Sequence, residues 1–275
     1  MKKIYYLGPT GSYSYLIAKK IFPDDELVSC ESFFPIVNKI LKDKDALGVL
    51  PIENSTTSDV FENVDYLFSK NFTIVEEAYF KINLYLVGLK NSSLEQIKEV
   101  YSHPKALAQS SKYIEKHHLT MCESKSTAHG KDIVLAGNDI KKAFIGSRDL
   151  ARDPRLLILS ENIGNARNNM TRFVVIKKFN KDEIEAKSNQ KLTIIFKLLH
   201  KPGTLANLLT KLTELKVNLT KIESRPIPGS QWEYYFLVDL EINPEDIKTV
   251  EKIFTANTLM AKKIGVYEKG KIYES

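Results

Sequence analysis

Polar side chains that could bind or protonate a small acid occur in four short groups within the first 178 residues. The groups are the runs Gly8 to Ser12, Pro51 to Asp59, Tyr101 to Pro104 and Asn168 to Phe173. They offer carboxyl, amide, hydroxyl, imidazole and guanidinium groups, which together can hold several oxygens of an anion and deliver a proton. A site assembled from them would suit a small, oxygen-rich acid.

The first two groups follow apolar runs, where a strand should end and a helix should begin. Gly11 permits a tight turn, and Ser12 can cap a helix whose free N–H groups face an anion, although a plain capped turn needs the same residues. Glu53, beside an apolar strand, is placed as a general acid would be, with Asn54 and Ser55 as further polar groups. Hydroxyl-rich loops are also ordinary connections. Neither group matches the dinucleotide or P-loop glycine pattern.

The other candidates supply an imidazole, hydroxyls and a guanidinium. His103 lies at the start of a predicted helix, where a histidine is also common as a purely structural residue. Ser126 and Thr127 begin another predicted helix, as an N-cap or as part of an anion site. Thr171 offers a small hydroxyl donor, and Arg172 can bind a carboxylate in a bidentate manner. The last two would otherwise be an exposed pair at a strand edge.

The elements that must position these groups alternate in type. Strands are predicted at Lys3 to Leu7, Ala46 to Leu50, Ala143 to Ile145 and Phe173 to Lys177. Between strands, apolar residues recur at i, i+4, i+7 and i+8, as on one face of a helix. This alternation is typical of an α/β fold, in which ligands bind where strands end.

The C-terminal part has a different organisation. Residues 179–190 are polar without a sustained apolar period, and they are predicted to be a linker between domains at 1–178 and 191–275. Beyond the linker, strands and amphipathic helices follow in the order βαββαβ. That order is typical of a small ferredoxin-like sandwich.

Bulk composition argues against several classes of protein. The net charge of +6 comes from lysines spread along the chain, without the interleaved aromatic residues typical of nucleic-acid binding. Cys30 and Cys122 lie far apart and without nearby ligands, so neither a disulfide framework nor a zinc site is predicted. No stretch reaches the ~18 apolar residues of a membrane span. We expect a cytoplasmic protein without nucleic-acid, membrane or metal partners.

In their order and combination, the polar groups resemble the prephenate dehydratase family across residues 3 to 178. The matching blocks are Gly8-Pro9-Thr10-Gly11-Ser12-Tyr13-Ser14, Pro51 to Ser55, Tyr101 to Pro104 with Ala106-Leu107-Ala108-Gln109, Ser126-Thr127-Ala128, and Thr171 to Phe173. Later blocks resemble the phenylalanine-binding segments of the family's ACT domain; they are Lys201-Pro202-Gly203-Thr204-Leu205, Asn218-Leu219-Thr220 and Ile222 to Pro226. The resemblance implies a two-lobed catalytic domain like periplasmic binding proteins, followed by an ACT domain. The expected lobes are at about 1–76 plus 160–178 and at about 77–159.

The activity that the resemblance implies is conversion of prephenate to phenylpyruvate, with loss of water and carbon dioxide, in phenylalanine biosynthesis. Aromatisation of the ring drives this reaction, so no cofactor and no metal are expected. The site must hold two carboxylates and assist the departing hydroxyl, for which Thr171 is the expected donor. The expected catalytic residues are Thr171, Glu53, Asn54 and His103. The expected substrate-binding residues are Gly11, Ser12, Ser55, Ser126, Thr127, Arg172 and Phe173.

The ACT-like segments imply feedback inhibition by L-phenylalanine and a homodimer or homotetramer. The expected effector-binding residues are Gly203, Thr204, Leu205, Asn218, Leu219, Glu223, Ser224 and Arg225. A domain that only dimerises could carry the same segments. A fused chorismate mutase, found in some relatives, is not expected, since no helical segment precedes Lys3.

The chain departs from the family pattern at several positions. Ser12, Lys105 and Ser110 stand where Thr, Gln and Cys are usual. His129-Gly130 replaces acidic and small residues, and the stretch 162–167 lacks the usual Gln-Asp pair after Ile. Two alternatives stay open: an arogenate dehydratase, whose substrate differs by one amino group, and a two-lobed protein that senses a small acid without converting it.

Overall fold

The structure, a computed structural model, describes residues 1–180, 190–227 and 229–274. Its contacts divide the chain into two compact units. Unit 1 comprises residues 1–61, 78–173 and 272–275, and unit 2 comprises residues 62–77 and 174–271. The predicted linker at 179–190 lies, apart from its ends, outside the described residues.

The first 178 residues alternate between strands and helices, as their apolar pattern predicts. The strands are β1 (Lys3–Leu7), β2 (Glu26–Cys30), β3 (Leu47–Asn54), β4 (Ser58–Asp59), β5 (Phe72–Lys81), β6 (Tyr85–Leu89), β7 (Glu99–Ser102), β8 (Thr120–Glu123), β9 (Lys142–Gly146), β10 (Leu156–Ser160) and β11 (Met170–Lys178). The helices are α1 (Tyr13–Ile21), α2 (Phe33–Lys42), α3 (Phe61–Ser69), α4 (Pro104–Gln109), α5 (Ser111–Lys116) and α6 (Thr127–Gly137). A 3-10 turn at Arg148–Arg152 follows β9.

Beyond the linker, the described elements are β12 (Gln190–Lys197), α7 (Thr204–Glu214), β13 (Asn218–Pro226), β14 (Tyr234–Ile242), α8 (Ile247–Asn257), β15 (Met260–Glu268) and β16 (Lys271–Tyr273). The predicted βαββαβ order is confirmed. Its sheet has the strand order β13-β14-β12-β15, with β12 antiparallel to both neighbours. Buried apolar side chains of this sheet, among them Phe196 and Val238, pack with Leu208 and Phe254 of the two helices.

Two further sheets carry the polar groups of the first half. One has the order β16-β5-β11-β3-β1-β2, in which β1 runs parallel to both β2 and β3. The other has the order β10-β6-β9-β7-β8, in which β7 runs parallel to β8 and β9. Because parallel strands end at the same edge of a sheet, the helix starts that follow β7, β8 and β9 share one edge. The predicted α/β fold is confirmed.

Strand β3 is longer than the sequence predicts. We expected a strand to Leu50 and a polar loop from Pro51, but β3 continues to Asn54 and forms a hairpin with β4. The ladder with β1 ends earlier, at the pair Tyr6 and Val49, so the missing N–H of Pro51 leaves no gap in that ladder. Glu53 and Asn54 are therefore strand residues with fixed directions.

Helix α3 belongs to unit 2 together with the ACT-like strands. The ring of Phe68 stacks on Tyr235 of β14 at a centroid distance of 4.1 Å. The ammonium group of Lys262 donates to the carbonyl of Leu67 (3.0 Å) and to that of Lys70, and so satisfies carbonyls at the C-terminal end of the helix. Burial lowers the pKa of Lys262. A helix from the first half of the chain is thus an integral part of the second unit.

Candidate active site

Asn54, the last residue of β3, is the centre of a hydrogen-bond network. Its Nδ2 donates to Thr171 Oγ1 (2.9 Å) and to Asn169 Oδ1 (2.8 Å). Its Oδ1 accepts from the backbone N–H groups of Thr56 and Thr57, each at 3.0 Å. Only a side chain with both a donor and an acceptor can make these bonds at once. The amide of Asn54 therefore fixes its own hairpin to the start of β11.

Thr171 is placed to donate a proton or hydrogen bond. Since its hydroxyl oxygen accepts from Asn54, its own hydrogen is left for another acceptor. The sequence predicts Thr171 just before a strand, whereas β11 begins at Met170, so the threonine lies on a regular element. Its position is accordingly set by the strand as well as by Asn54.

Gln109 joins this network from the last residue of α4. Its Nε2 donates to Thr56 Oγ1 (2.9 Å) and lies 3.4 Å from Asn54 Oδ1. It was not among the expected site residues, although its block was one of those that resemble the family. Its helix has only six residues, which is too short for a periodicity argument to indicate its direction.

Glu53 and Arg172 form a second, separate pair. Neighbouring residues of a strand point to opposite faces, and the contacts follow that rule: Asn54 reaches Thr171, while Glu53 reaches Arg172. The carboxylate Oε2 of Glu53 lies 3.6 Å from the guanidinium of Arg172. Arg172 is 5% exposed, while the Glu53 side chain is 39% exposed. The arginine is therefore the buried partner that orients Glu53.

Ser55 and Phe173 lie in the same region, but the Ser55 hydroxyl is used in hydrogen bonds within the protein and the Phe173 ring is buried. The hydroxyl of Ser55 donates to the carbonyl of Asn168 (3.0 Å) and accepts from the N–H of Met170 (2.9 Å). Phe173 is 2% exposed and belongs to the core. These two residues hold the segment around Thr171 in place.

The glycine-rich turn after β1 lies against the turn that follows β9. Gly11 has φ +87°, and a Cβ there would come within 2.6 Å of the side chain of Leu150. Ser12 caps α1, since its hydroxyl accepts from the N–H of Tyr15 (3.2 Å) and donates to the carbonyl of Leu7 (2.8 Å). The close approach at Gly11 thus joins the start of α1 to the second sheet.

Two helix starts of the second sheet carry side-chain caps, of which the sequence predicts the one at Ser126. Ser126 Oγ accepts from the N–H of His129 (3.0 Å), and Thr127 is the first residue of α6. His103 Nδ1 accepts from the N–H of Lys105 (3.1 Å), so it caps α4. Burial, and then the charge of Lys105, lower the pKa of His103. The imidazole is therefore a neutral acceptor at neutral pH.

The expected effector-binding residues fall in three places within unit 2. Thr204 and Leu205, at the start of α7, line a largely apolar pocket of about 320 Å³ with Phe236 and Leu259 among its walls. Gly203 precedes them with φ +83°. Asn218 lines a different, polar pocket at the start of β13 and donates to Glu241 (2.9 Å). The structure does not bring these two regions to one pocket.

The third place lies on β13 itself, which carries Leu219, Glu223, Ser224 and Arg225. Leu219 packs against the ACT-like core. Arg225 donates from Nε and Nη2 to the two carboxylate oxygens of Asp65 on α3, at 3.2 and 3.0 Å. The hydroxyl of Tyr235 also donates to Asp65 (2.5 Å). Arg225 thus links β13 to α3.

Comparison with known proteins agrees with this architecture. A family model described as prephenate dehydratase matches residues 4–181, and one described as ACT domain matches residues 192–256. A protein described as prephenate dehydratase from Methanocaldococcus jannaschii is 36% identical over 272 residues, which are 97% of this chain and 98% of that protein.

Two solved structures share the fold. The prephenate dehydratase of Staphylococcus aureus Mu50 has a TM-score of 0.85 at 28% identity, covering 98% of this chain and 100% of that one. The prephenate dehydratase of Arthrobacter aurescens in complex with L-Phe has a TM-score of 0.87 at 24% identity, covering 97% and 90%. At that identity the second likeness concerns the fold alone.

Together these findings define an enzyme with a C-terminal ACT domain. The chain belongs to the prephenate dehydratase family. Across residues 1–180, 190–227 and 229–274, no three His, Cys, Asp or Glu side chains are grouped so as to hold a metal ion. Within the same described residues, no helix has the length and apolar character to cross a membrane.

The first prediction concerns the Asn54 side-chain amide, which both donates and accepts hydrogen bonds. In Asn54→Asp, a carboxylate would face Asn169 Oδ1 and the carbonyl of Met170 and could donate to neither. We expect a loss of about 1–3 kcal/mol in the free energy of unfolding, since buried acceptors lose their donor. Urea denaturation measures this, with Asn91→Asp, in the exposed turn after β6, as a control for the added charge. Equal stability of the parent and Asn54→Asp would contradict the network.

The second prediction concerns His103 and pH. Because its pKa is lowered by folding, the unfolded chain binds more protons, so the stabilisation is complete above the unfolded pKa of about 6.5 and is lost as pH falls through the folded value. In His103→Asn, the cap is kept by a side chain that does not titrate. We expect its melting temperature to fall less than that of the parent between pH 7.5 and 5. If the melting temperatures of the parent and His103→Asn fall equally with pH, His103 does not titrate in this way.

Proposed function

We propose that the protein converts prephenate to phenylpyruvate in phenylalanine biosynthesis, in the cytoplasm. The proposal depends chiefly on one observation, the Thr171 hydroxyl held by Asn54 with its hydrogen left to donate. Membership of the prephenate dehydratase family supports the same reaction. Incubation of the purified protein with prephenate tests it, with phenylpyruvate as the product to be detected.

In this reaction the ring loses a carboxylate as carbon dioxide and a hydroxyl as water. The electron pair of the broken carbon–carbon bond moves through the ring and expels the hydroxyl, while one proton completes the water. We assign to Thr171 the hydrogen bond to the departing oxygen, where negative charge develops. Asn54 positions Thr171, and Gln109 holds the opposite side of the Asn54 hairpin through Thr56.

Substrate carboxylates need positive potential or N–H donors. The starts of α1 and α6, capped by Ser12 and Ser126, supply free N–H groups of the kind that bind anions. Arg172 was expected to bind a carboxylate directly, but its burial and its pairing with Glu53 favour a supporting role, in which it orients Glu53. Glu53, as the more exposed member, is the one that would face a ligand.

We also propose inhibition by L-phenylalanine through the ACT domain, in a homodimer or homotetramer. The apolar pocket beside Thr204 and Leu205 has the size and lining for an aromatic side chain. Arg225 carries a link from β13 to Asp65 on α3. Helix α3 begins at Phe61, directly after the hairpin that ends at Asp59, so a shift of α3 would act on the Asn54 hairpin through the chain.

Two alternatives give different outcomes in the same assays. An arogenate dehydratase would show the higher kcat/KM with arogenate when the two substrates are compared. A sensor that binds without conversion would be stabilised thermally by prephenate yet yield no phenylpyruvate. No observation in the structure favours either over the proposed dehydratase.

The third prediction tests the role of Thr171. In Thr171→Val the shape is kept but the donor is lost, and we expect kcat to fall by about 10² to 10³-fold. Thr171→Ser keeps the hydroxyl and should retain activity within about tenfold of the parent, which makes it the matched control. Near-normal turnover of Thr171→Val would remove Thr171 from the mechanism.

The fourth prediction tests the link between Asp65 and Arg225. Asp65→Asn keeps the size of the side chain but removes the charge that holds the guanidinium. We expect turnover without effector to be nearly unchanged, and the phenylalanine concentration for half-inhibition to rise at least about fivefold, the lower end of typical allosteric coupling. Calorimetric titration with phenylalanine separates weaker binding from weaker transmission. Unchanged inhibition would show that the pair does not transmit the effector's presence.

A further inference from the structure

Asn165 is not part of the candidate active site, yet it contacts both sides of the break between α4 and α5. Its backbone N–H donates to the carbonyl of Gln109 (2.6 Å). Its side-chain Nδ2 donates to the carbonyl of Ala108 and to Ser111 Oγ, each at 3.0 Å. Its Oδ1 accepts from the N–H of Lys112 (3.1 Å). One residue thus binds the end of one helix and the start of the next.

The two helices need such a contact because each has only six residues. Helices this short gain little stability from their own backbone bonds. The end of α4 also leaves carbonyls, and the start of α5 leaves N–H groups, without partners inside the helix. Asn165 satisfies groups of both kinds, since an amide is a donor and an acceptor at once.

Gln109 is the residue that this contact controls most directly. It is the last residue of α4, its own carbonyl is bonded to Asn165, and its side chain reaches Thr56 and Asn54. A shift at the end of α4 would therefore move the Gln109 amide away from the network that holds Thr171. The path from Asn165 to the proposed donor consists entirely of hydrogen bonds within unit 1.

We propose that Asn165 is a positioning residue for the reaction, acting through Gln109. This inference rests on the proposed function, since it assigns Gln109 to the support of Thr171. Asn165 itself is exposed and reaches the network only through the α4–α5 break. Because water can replace exposed hydrogen bonds in part, the effect of losing them is expected to be moderate.

The fifth prediction is a double-mutant cycle between Asn165 and Gln109. Asn165→Ala should lower kcat about tenfold with little change in KM, whereas Asn165→Asp, which keeps the acceptor for Lys112, should lower it less. In a Gln109→Ala background, Asn165→Ala should change kcat by less than about twofold. Asn162→Gly, at an exposed position with φ +53° in the same loop, is the control and should leave kcat unchanged.

The possible outcomes distinguish failure of this inference from failure of the proposed function. Equal losses from Asn165→Ala in both backgrounds, or a lower melting temperature with unchanged kcat, would overturn the positioning role. Absence of phenylpyruvate formation by the parent protein would instead refute the proposed function. In that case the contact of Asn165 with the end of α4 can still be tested from the NMR resonances of the Gln109 side-chain amide. Asn165→Ala should shift them while Asn162→Gly should not, and unshifted resonances would also overturn the positioning role.

Discussion

The candidate site depends on the hydrogen bonds of the Asn54 side-chain amide. It bonds to the start of β11 on one side and to its own hairpin on the other. Three segments far apart in sequence meet at this residue, because Gln109 also reaches it from α4. An amide has two donor hydrogens and an acceptor oxygen, and here both ends are used. The geometry of the proposed donor, Thr171, follows from that arrangement.

Side chains along β3 and β11 alternate between the two faces of the strands. This alternation divides the polar residues into two sets with different roles. Asn54 and Thr171 meet in one set, and Glu53 meets Arg172 in the other. A buried guanidinium requires a charged or strongly polar partner, which explains why Glu53 and Arg172 stay together. The same strand pair therefore supports a hydrogen-bond donor in one set and an oriented carboxylate in the other.

Periodicity and capping chemistry predicted the alternation of strands and helices, and motif order predicted the family. The βαββαβ order and the caps at Ser12 and Ser126 follow from local patterns. The roles of Gln109 and Asn165 could not be predicted in this way. Both act across a break between very short helices, where no repeat indicates direction and where the contacts join distant segments. The stretch around Asn165 also departs from the family pattern.

The extension of β3 shows why the site was only partly predictable. A proline normally ends a strand in a central position, so a loop from Pro51 was the reasonable expectation. The ladder with β1 ends at Val49, however, and this freed the chain to continue as a strand through Pro51. That extension gives Glu53 and Asn54 opposite directions, which a loop would not have imposed. Which neighbouring strand stops first is set by tertiary pairing, and a single sequence does not carry that information.

The position of α3 bears on the proposed inhibition by phenylalanine. The helix contacts residues of the ACT-like strands inside unit 2 through Phe68, Asp65 and the carbonyl of Leu67. The chain enters this helix directly from the hairpin that Asn54 holds. Under that proposal, a shift of α3 would reach the hairpin through the few residues between Asn54 and Phe61. Within that span the N–H of Val60 donates to the carbonyl of Ile52, and those of Thr56 and Thr57 donate to the Asn54 oxygen, so these bonds would resist such a shift.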